Sequence, residues 1–535
     1  MIRSKIFKIN PIIPVLILVA ALYLLTATNM PPRSDGGTYV LLARSLANGH
    51  GYVEHPLSDF PHTKYPYLFP AMLAPFQRFF PEGFFLLDIL NAFFTMLSVY
   101  LVFVILKWFF SARSAALFTL VISVNAYTFV QNAFRVLSEP LYIVCSLAAI
   151  IFLERYVARR SYKYLFLSII AVTAACYSRQ VGIMLIASAV AYLLYRKDLK
   201  AALILGIATV ILIIPWWYRT VILILEKGMV PVVGHRTNLP PMSRLDRFFI
   251  AFLTHCFSWA HWVVFPTFFA FFHFVKGKAM TGLSILAVLK HMITILIVIP
   301  TVFGFIIHTK KKRYFFDFYI FFYGGAICLA GNYFAYRLLY PIAPFLFYYL
   351  FIGTDRIIDR VASLQKRAPR RHKGTGWPRA LKIGLLGILV GSALLQNAHQ
   401  VYSERTGRLT RPWNAYFLAA EWAKDDLPEE STIMCYKPNN FYLISGRRCV
   451  QAPDSFSDRE GLNDRFNFFL REFKPDYIVI TVPSFPWGDR YFESYFRKFL
   501  EKNRRRFKLI KMIEAYGAQA RVYKSLIRRA GSDDR

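Results

Sequence analysis

Apolar runs alternate with short polar connections along the first three quarters of the chain, near residues 12–28, 84–106, 114–130, 140–153, 163–177, 181–195, 201–218, 284–308, 314–331, 338–353 and 381–397. Crossing a hydrocarbon core of about 30 Å takes roughly 20 helical residues, and most of these runs approach that length. The aromatic segment 247–275 adds one span or a re-entrant pair. The pattern predicts a polytopic α-helical membrane protein of about 11–13 spans.

Two stretches depart from it. Between the first two runs, Thr38–Asn48 places Tyr39, Leu42, Ala43 and Leu46 on one helical stripe, and Gly49 and Gly51 then end the segment. That spacing predicts a short helix lying in the interface plane. After residue 397 the period changes again. Trp413–Lys424 has helical spacing, and TIMCY, CVQA, DYIVITV, KLIKMI and ARVYK read as short strands separated by signals such as KPNN and SFSDREG. The expected domains are 1–397, a membrane domain whose first outer loop is 29–83, and 398–535, a soluble α/β unit. The tail holds no Gly-rich phosphate loop, nucleophile elbow or HExxH, so it is read as binding an acceptor or capping the site.

Composition agrees with the membrane class: 56% of residues are hydrophobic and 17% aromatic, with mean hydropathy +0.38. A net charge of +34 would suggest a nucleic-acid partner in a soluble chain. Here the placement of the cations argues against one. Arg3/Lys5/Lys8, Arg155/Arg159/Arg160/Lys163, Arg196/Lys197/Lys200, Lys310–Arg313 and the run Arg356–Lys382 fall on alternate connections. The positive-inside rule makes these cytoplasmic, with the N-terminus inside, and puts 29–83, 131–139, 219–283 and everything after 397 outside. The first run has flanking cations and no small-residue cleavage site, so it reads as a retained span. The expected location is the inner (plasma) membrane, multi-pass. Cys145, Cys176, Cys256 and Cys328 lie in or near spans and read as small buried hydrophobes. Cys435 and Cys449 lie in the tail, where they read equally as a disulfide or as two thiols. No Cys or His spacing suggests a metal site.

The candidate chemistry gathers on the outer connections. Asp35 approaches the amphipathic helix, and Glu139, in Ser138-Glu139-Pro140, opens the fourth run. Each has an ordinary reading, Asp35 as a helix cap and Glu139 as a first-turn acid beside a proline. Two separate loops bringing acids to one membrane face favour a shared site. Lys64, Arg135, Arg179 and Arg337 are the cations of that face. They either snorkel to headgroups or grip a phosphate, for which the guanidinium fork is suited. Tyr39, His62 and Tyr65 are further candidates beside them; His50, His55 and His62 are isolated histidines, which more often pack than react. The chain contains no DxD, so a metal-clamped nucleotide sugar is not indicated, although a divalent metal is neither required nor excluded.

The order of these features resembles the GT-C superfamily of integral membrane glycosyltransferases, in particular the branch of protein O-mannosyltransferases and lipid A aminoarabinose transferases. Asp35 after the first span, the helix ending in Asn48-Gly49, Lys64-Tyr65-Pro66, Ser138-Glu139-Pro140, and Tyr336-Arg337-Leu338-Leu339-Tyr340-Pro341 before a late span are similar to that branch's short motifs. Tyr67 stands where a second proline is common, and Gly36-Gly37 follows Asp35 where many relatives carry another acid. The resemblance implies a polyprenyl-phosphate-linked sugar donor and a lipid, glycan or protein acceptor in the cell envelope. It also implies inversion at the sugar, with Asp35 and Glu139 catalytic and Lys64, Arg179 and Arg337 on the donor phosphate. A phosphate leaving group needs cations and no general acid, so one base suffices. The competing readings are a glycolipid flippase, which would more often show internal repeats and charges at the midplane, and a non-catalytic glycan-binding membrane protein.

Overall fold

The structure is a computed structural model that describes residues 10–25, 27, 30–57, 61–127, 136–226, 245–246, 248–256, 258–260, 263, 283–329, 336–367, 377–406, 411–452, 462–482 and 490–527. Every apolar run read from the sequence carries helix. The order is α1 (Ile12–Leu24), α2 (Asp35–Ala47), α3 (Leu68–Phe79), α4 (Phe84–Leu106), α5 (Ala112–Ile122), α6 (Glu139–Arg159), α7 (Tyr162–Ser178), α8 (Ile183–Tyr195), α9 (Leu199–Glu226), α10 (Leu283–Lys311), α11 (Phe315–Leu329), α12 (Ala343–Arg367) and α13 (Trp377–Arg405). Among the described residues, five helices are long and apolar enough to cross a membrane, and shorter apolar helices accompany them. The aromatic segment 247–275 is described only in part, with an apolar helix over Phe248–Ala260.

Without a hydrophobic drive between lipid-embedded helices, close backbone approach is what holds them together. Gly304 of α10 and Gly353 of α12 supply it: a Cβ on either would overlap the facing carbonyl, Tyr349 O or Pro300 O. α6 packs along α7, and α1, α4 and α6 follow one another into a shared aliphatic and aromatic core.

The chain beyond α13 folds as α14 (Arg411–Asp426), β1 (Thr432–Cys435), α15 (Pro438–Ser445), β2 (Arg448–Gln451), α16 (Leu462–Phe473), β3 (Tyr477–Val482), α17 (Arg490–Lys502), β4 (Phe507–Ala515) and β5 (Ala518–Ser525). All five strand-like runs are strands. The sheet order is β2-β1-β3-β5-β4, with β2, β1 and β3 parallel and β5 antiparallel to both neighbours. Alternation along the strands gives two cores. Ile433, Val479 and Val522 face α14 and α15, whereas Met434, Ile478 and Tyr523 face α16 and α17. Of the helical and turn readings open to KPNN, the helix is the one that forms. Pro438 suits the first helical position, so these residues start α15. SFSDREG lies outside the described residues. Cys435 and Cys449, on neighbouring strands, are both buried free thiols.

Candidate active site

The amphipathic helix begins three residues earlier than its apolar stripe suggested. Asp35 is the first residue of α2, where an acid meets the positive end of the helix dipole. Ser34 precedes it with φ 52°, in the left-handed region that a non-glycine residue rarely occupies. Asn48 and Gly49 (φ 80°) end the helix, as their sequence suggested. The helix is covered on almost every side: Tyr39, Val40, Leu41, Leu42 and Ala43 are all buried.

Asp35 and Tyr39 lie one turn apart and share a face. The Tyr39 hydroxyl hydrogen-bonds Ser138 Oγ at 2.9 Å, which brings the first loop to the start of α6. There Glu139 is 1% exposed and pairs with Arg179, whose Nη1 lies 2.7 Å from Glu139 Oε1 and donates to Ser138 Oγ at 3.2 Å. Arg179 reaches this point because the chain breaks between α7 and the 3-10 turn Gln180–Gly182, with Arg179 itself extended (φ −150°). Burial pushes the Tyr39 phenol well above its ordinary range. Arg179 opposes the rise, and the negative charges of Glu139 and Asp35 add to it. Tyr39 thus stands one helical turn from Asp35 and bonds the residue before Glu139, whose partner is Arg179, so two loops far apart in sequence converge on one spot.

The second half of the first loop forms a wall beside it. The Tyr65 ring lies 4.8 Å from that of Tyr39 and stacks on His62 at 5.3 Å. The Tyr65 backbone N–H donates to His62 Nε2 (3.0 Å), which leaves His62 Nδ1 to donate to Glu54 Oε1 at 2.7 Å. Burial alone would raise the Glu54 carboxyl. The hydrogen bond from His62, then Asn439 and Lys64, outweigh it and hold Glu54 below the usual value. Lys64 is exposed, its Nζ 4.9 Å from the centre of the Tyr65 ring, and Gln180 Nε2 donates to its carbonyl at 3.0 Å, tying this wall to the Arg179 break.

Arg337 lies in the 3-10 turn Tyr336–Leu339, and its side chain is outside the described ones. Tyr323 of α11 donates to Leu338 O at 2.8 Å and is within electrostatic reach of Arg179 and Glu139, so that turn borders the same region. Arg135 lies outside the described residues. Among the described residues no group of three or more His, Cys, Asp or Glu is placed to hold a metal ion. Sequence reasoning missed Glu54, Ser138 and the tail residues Asn439 and Asn440. Glu54 could have been noticed as the acid eight positions before His62; Ser138 and the two asparagines stand in stretches already singled out, Ser138-Glu139-Pro140 and KPNN, but their own contacts show only once the chain folds.

Residues 64–218 match the family model described as dolichyl-phosphate-mannose-protein mannosyltransferase, a stretch that includes Lys64, Glu139 and Arg179. No curated protein matches the sequence. The fold is similar to that of ArnT from Cupriavidus metallidurans bound to undecaprenyl phosphate. That match has 14% identity and a TM-score of 0.53, and it covers 97% of this chain and 99% of that one. The apo form of the same protein matches at 13% identity and a TM-score of 0.48, over 95% and 97% of the two chains. The family match and the fold agree with the GT-C resemblance carried by the short motifs.

Proposed function

We propose that this chain is a GT-C-type membrane glycosyltransferase that moves a sugar from a polyprenyl-phosphate-linked donor to a cell-envelope acceptor, inverting the anomeric configuration. The observation that carries the reading is the convergence of Asp35, Glu139 and Arg179 around Tyr39 at one end of the bundle. The fold is shared with a protein solved with undecaprenyl phosphate bound, which supports a lipid-linked donor.

In this reading Asp35 is the base. The acceptor oxygen attacks the anomeric carbon opposite the phosphate and its proton passes to Asp35. The carbon–oxygen bond to phosphate breaks with its electron pair, leaving a polyprenyl phosphate. Lys64, Arg179 and Arg337 stabilise the charge that grows on that phosphate. Glu139 holds Arg179 in orientation through their 2.7 Å ion pair, and guanidinium N–H groups beyond Nη1 are those suited to phosphate. Tyr39, Tyr65 and His62 shape the wall beside the sugar.

The positive-inside distribution supports a cytoplasmic N-terminus and an outer site, with residues 398–535 as an extracytoplasmic domain in an inner-membrane protein. A cysteine at exposed Lys508 should react with a membrane-impermeant maleimide in intact spheroplasts; labelling only after lysis would invert the topology. The function is tested with the purified protein in vesicles given radiolabelled undecaprenyl-phosphate hexoses and pentoses plus an envelope extract. Release of undecaprenyl phosphate should accompany label transfer, and Asp35→Asn should slow it by about 10²-fold or more. An Asn variant turning over at the wild-type rate would remove Asp35 as the base.

A further inference from the structure

The first turn of α2 is held by residues that lie some four hundred positions later in the chain. Asn439 Nδ2 donates to Thr38 Oγ1 at 2.7 Å and to Glu54 Oε2 at 2.5 Å. Asn440, 1% exposed, donates from Nδ2 to Pro32 O at 2.6 Å. The two asparagines start α15, so a single helix end grips the chain on both sides of Asp35. Gly37 is part of the grip, because a Cβ there would sit 2.8 Å from Asn440 Cγ and overlap its amide nitrogen. The same helix sends Leu443 into the core of the bundle, while Leu57 and Tyr442 pack against both the bundle core and the sheet core. Between the gripped points the backbone carries the left-handed Ser34, a conformation that persists when surrounding contacts over-determine it.

We infer that Asn439 and Asn440 are positioning residues through which the sheet domain sets the place of Asp35, so that this domain belongs to the catalytic machinery and is more than an acceptor platform. This rests on the reading of Asp35 as the base. It also gives a physical reason for glycine at position 37: a Cβ there collides with the Asn440 side chain. Asn439 extends the grip to the Glu54–His62–Tyr65 wall, since the carboxylate it holds at Oε2 is held by His62 at Oε1. The domain thereby fixes Asp35 and the aromatic wall with respect to each other.

The test uses the full-length protein in vesicles, with radiolabelled undecaprenyl-phosphate sugar for turnover and undecaprenyl phosphate alone for binding. Gly37→Ala should lower kcat by roughly tenfold or more, because a shift of about an ångström in a reacting group costs that much or more. Asn440→Ala should lower it by about three- to tenfold, the scale of one lost hydrogen bond. The double variant should be no slower than Asn440→Ala, since the collision needs both side chains. The undecaprenyl phosphate Kd should stay within about twofold throughout, a split that general loosening of the fold would not give. Amide hydrogen exchange over residues 36–47 should quicken in Asn439→Ala and Asn440→Ala, which only remove atoms and carry the test if Gly37→Ala does not fold. Wild-type kcat in both asparagine variants, a double variant slowed by the product of the single effects, or turnover and lipid affinity falling together would overturn the inference. If Asp35→Asn is inactive while these variants are normal, the grip fails and the function stands. If Asp35→Asn is fully active, the function itself fails.

Discussion

Two acids on one helix illustrate how differently a buried carboxylate can be used. Glu139 and Glu154 both belong to α6, roughly 22 Å apart along its axis. Glu154 accepts the Phe315 backbone N–H at 2.7 Å and the Tyr192 hydroxyl at 3.0 Å. Beside it Asp317 accepts the Tyr314 N–H at 2.6 Å and the Tyr349 hydroxyl, and lies 3.5 Å from His308. Both acids satisfy backbone donors at the start of α11, which have no partner within the helix. Glu139 instead faces the guanidinium of Arg179, from the break after α7, and sits beside a phenol from the first loop. A carboxylate committed to backbone N–H groups fixes a helix end. One paired with a cation in a break between helices holds a group that can meet a substrate.

The contrast is broken or sharpened most strongly by exchanging each acid for its amide. Glu139→Gln leaves Arg179 without its buried counter-charge, a change that costs about 3–5 kcal/mol where the pair is fully buried. Release of undecaprenyl phosphate from its sugar-linked form should fall by about 10²-fold. Glu154→Gln should leave that rate within about threefold; equal losses in both variants would erase the distinction. A smaller effect is expected at the cations. Arg179→Lys keeps the charge and loses the fork, and Lys64→Ala loses the charge, so each should weaken undecaprenyl phosphate binding by about tenfold in native mass spectrometry. Unchanged affinity in both would put the phosphate elsewhere.

For Glu154→Gln the readout is stability. One acceptor oxygen becomes an amide nitrogen facing a donor, which costs about 1–3 kcal/mol, so the unfolding midpoint in detergent should drop by about 1–3 °C with turnover retained. The smallest effect concerns pH. The Glu54 carboxyl is held low in the folded protein, so it contributes stability at pH above its unfolded value of about 4.3, lost as pH falls through the lower folded value. Proteolytic release of the sheet domain should therefore quicken below about pH 4, and Glu54→Gln should flatten that dependence.

The chain's own pattern settled much of this molecule. Long apolar runs must become helices in hydrocarbon because no water is present to satisfy the backbone. Alternating residues in the tail gave all five strands, and Pro-free amphipathic spacing gave α2. Glycine at 49 and proline at 140 marked boundaries, the first because it tolerates a positive φ and the second because it has no N–H to donate and suits a first helical turn. Asp35, Glu139, Lys64 and Arg179 stood out as candidates because charged side chains at the edges of apolar segments are costly. What the sequence could not express was commitment. Glu139 and Glu154 look alike in the string, and only packing assigned one to an arginine and the other to a backbone amide. Asn439 and Asn440 fall in KPNN, which reads only as a helical or turn signal, and Gly37 reads only as part of the pair that follows Asp35. Their meaning comes from a contact between segments some four hundred residues apart, and such a contact leaves no local periodicity. It is set by how the sheet domain docks on the bundle, a property of the folded surfaces that no window of sequence contains.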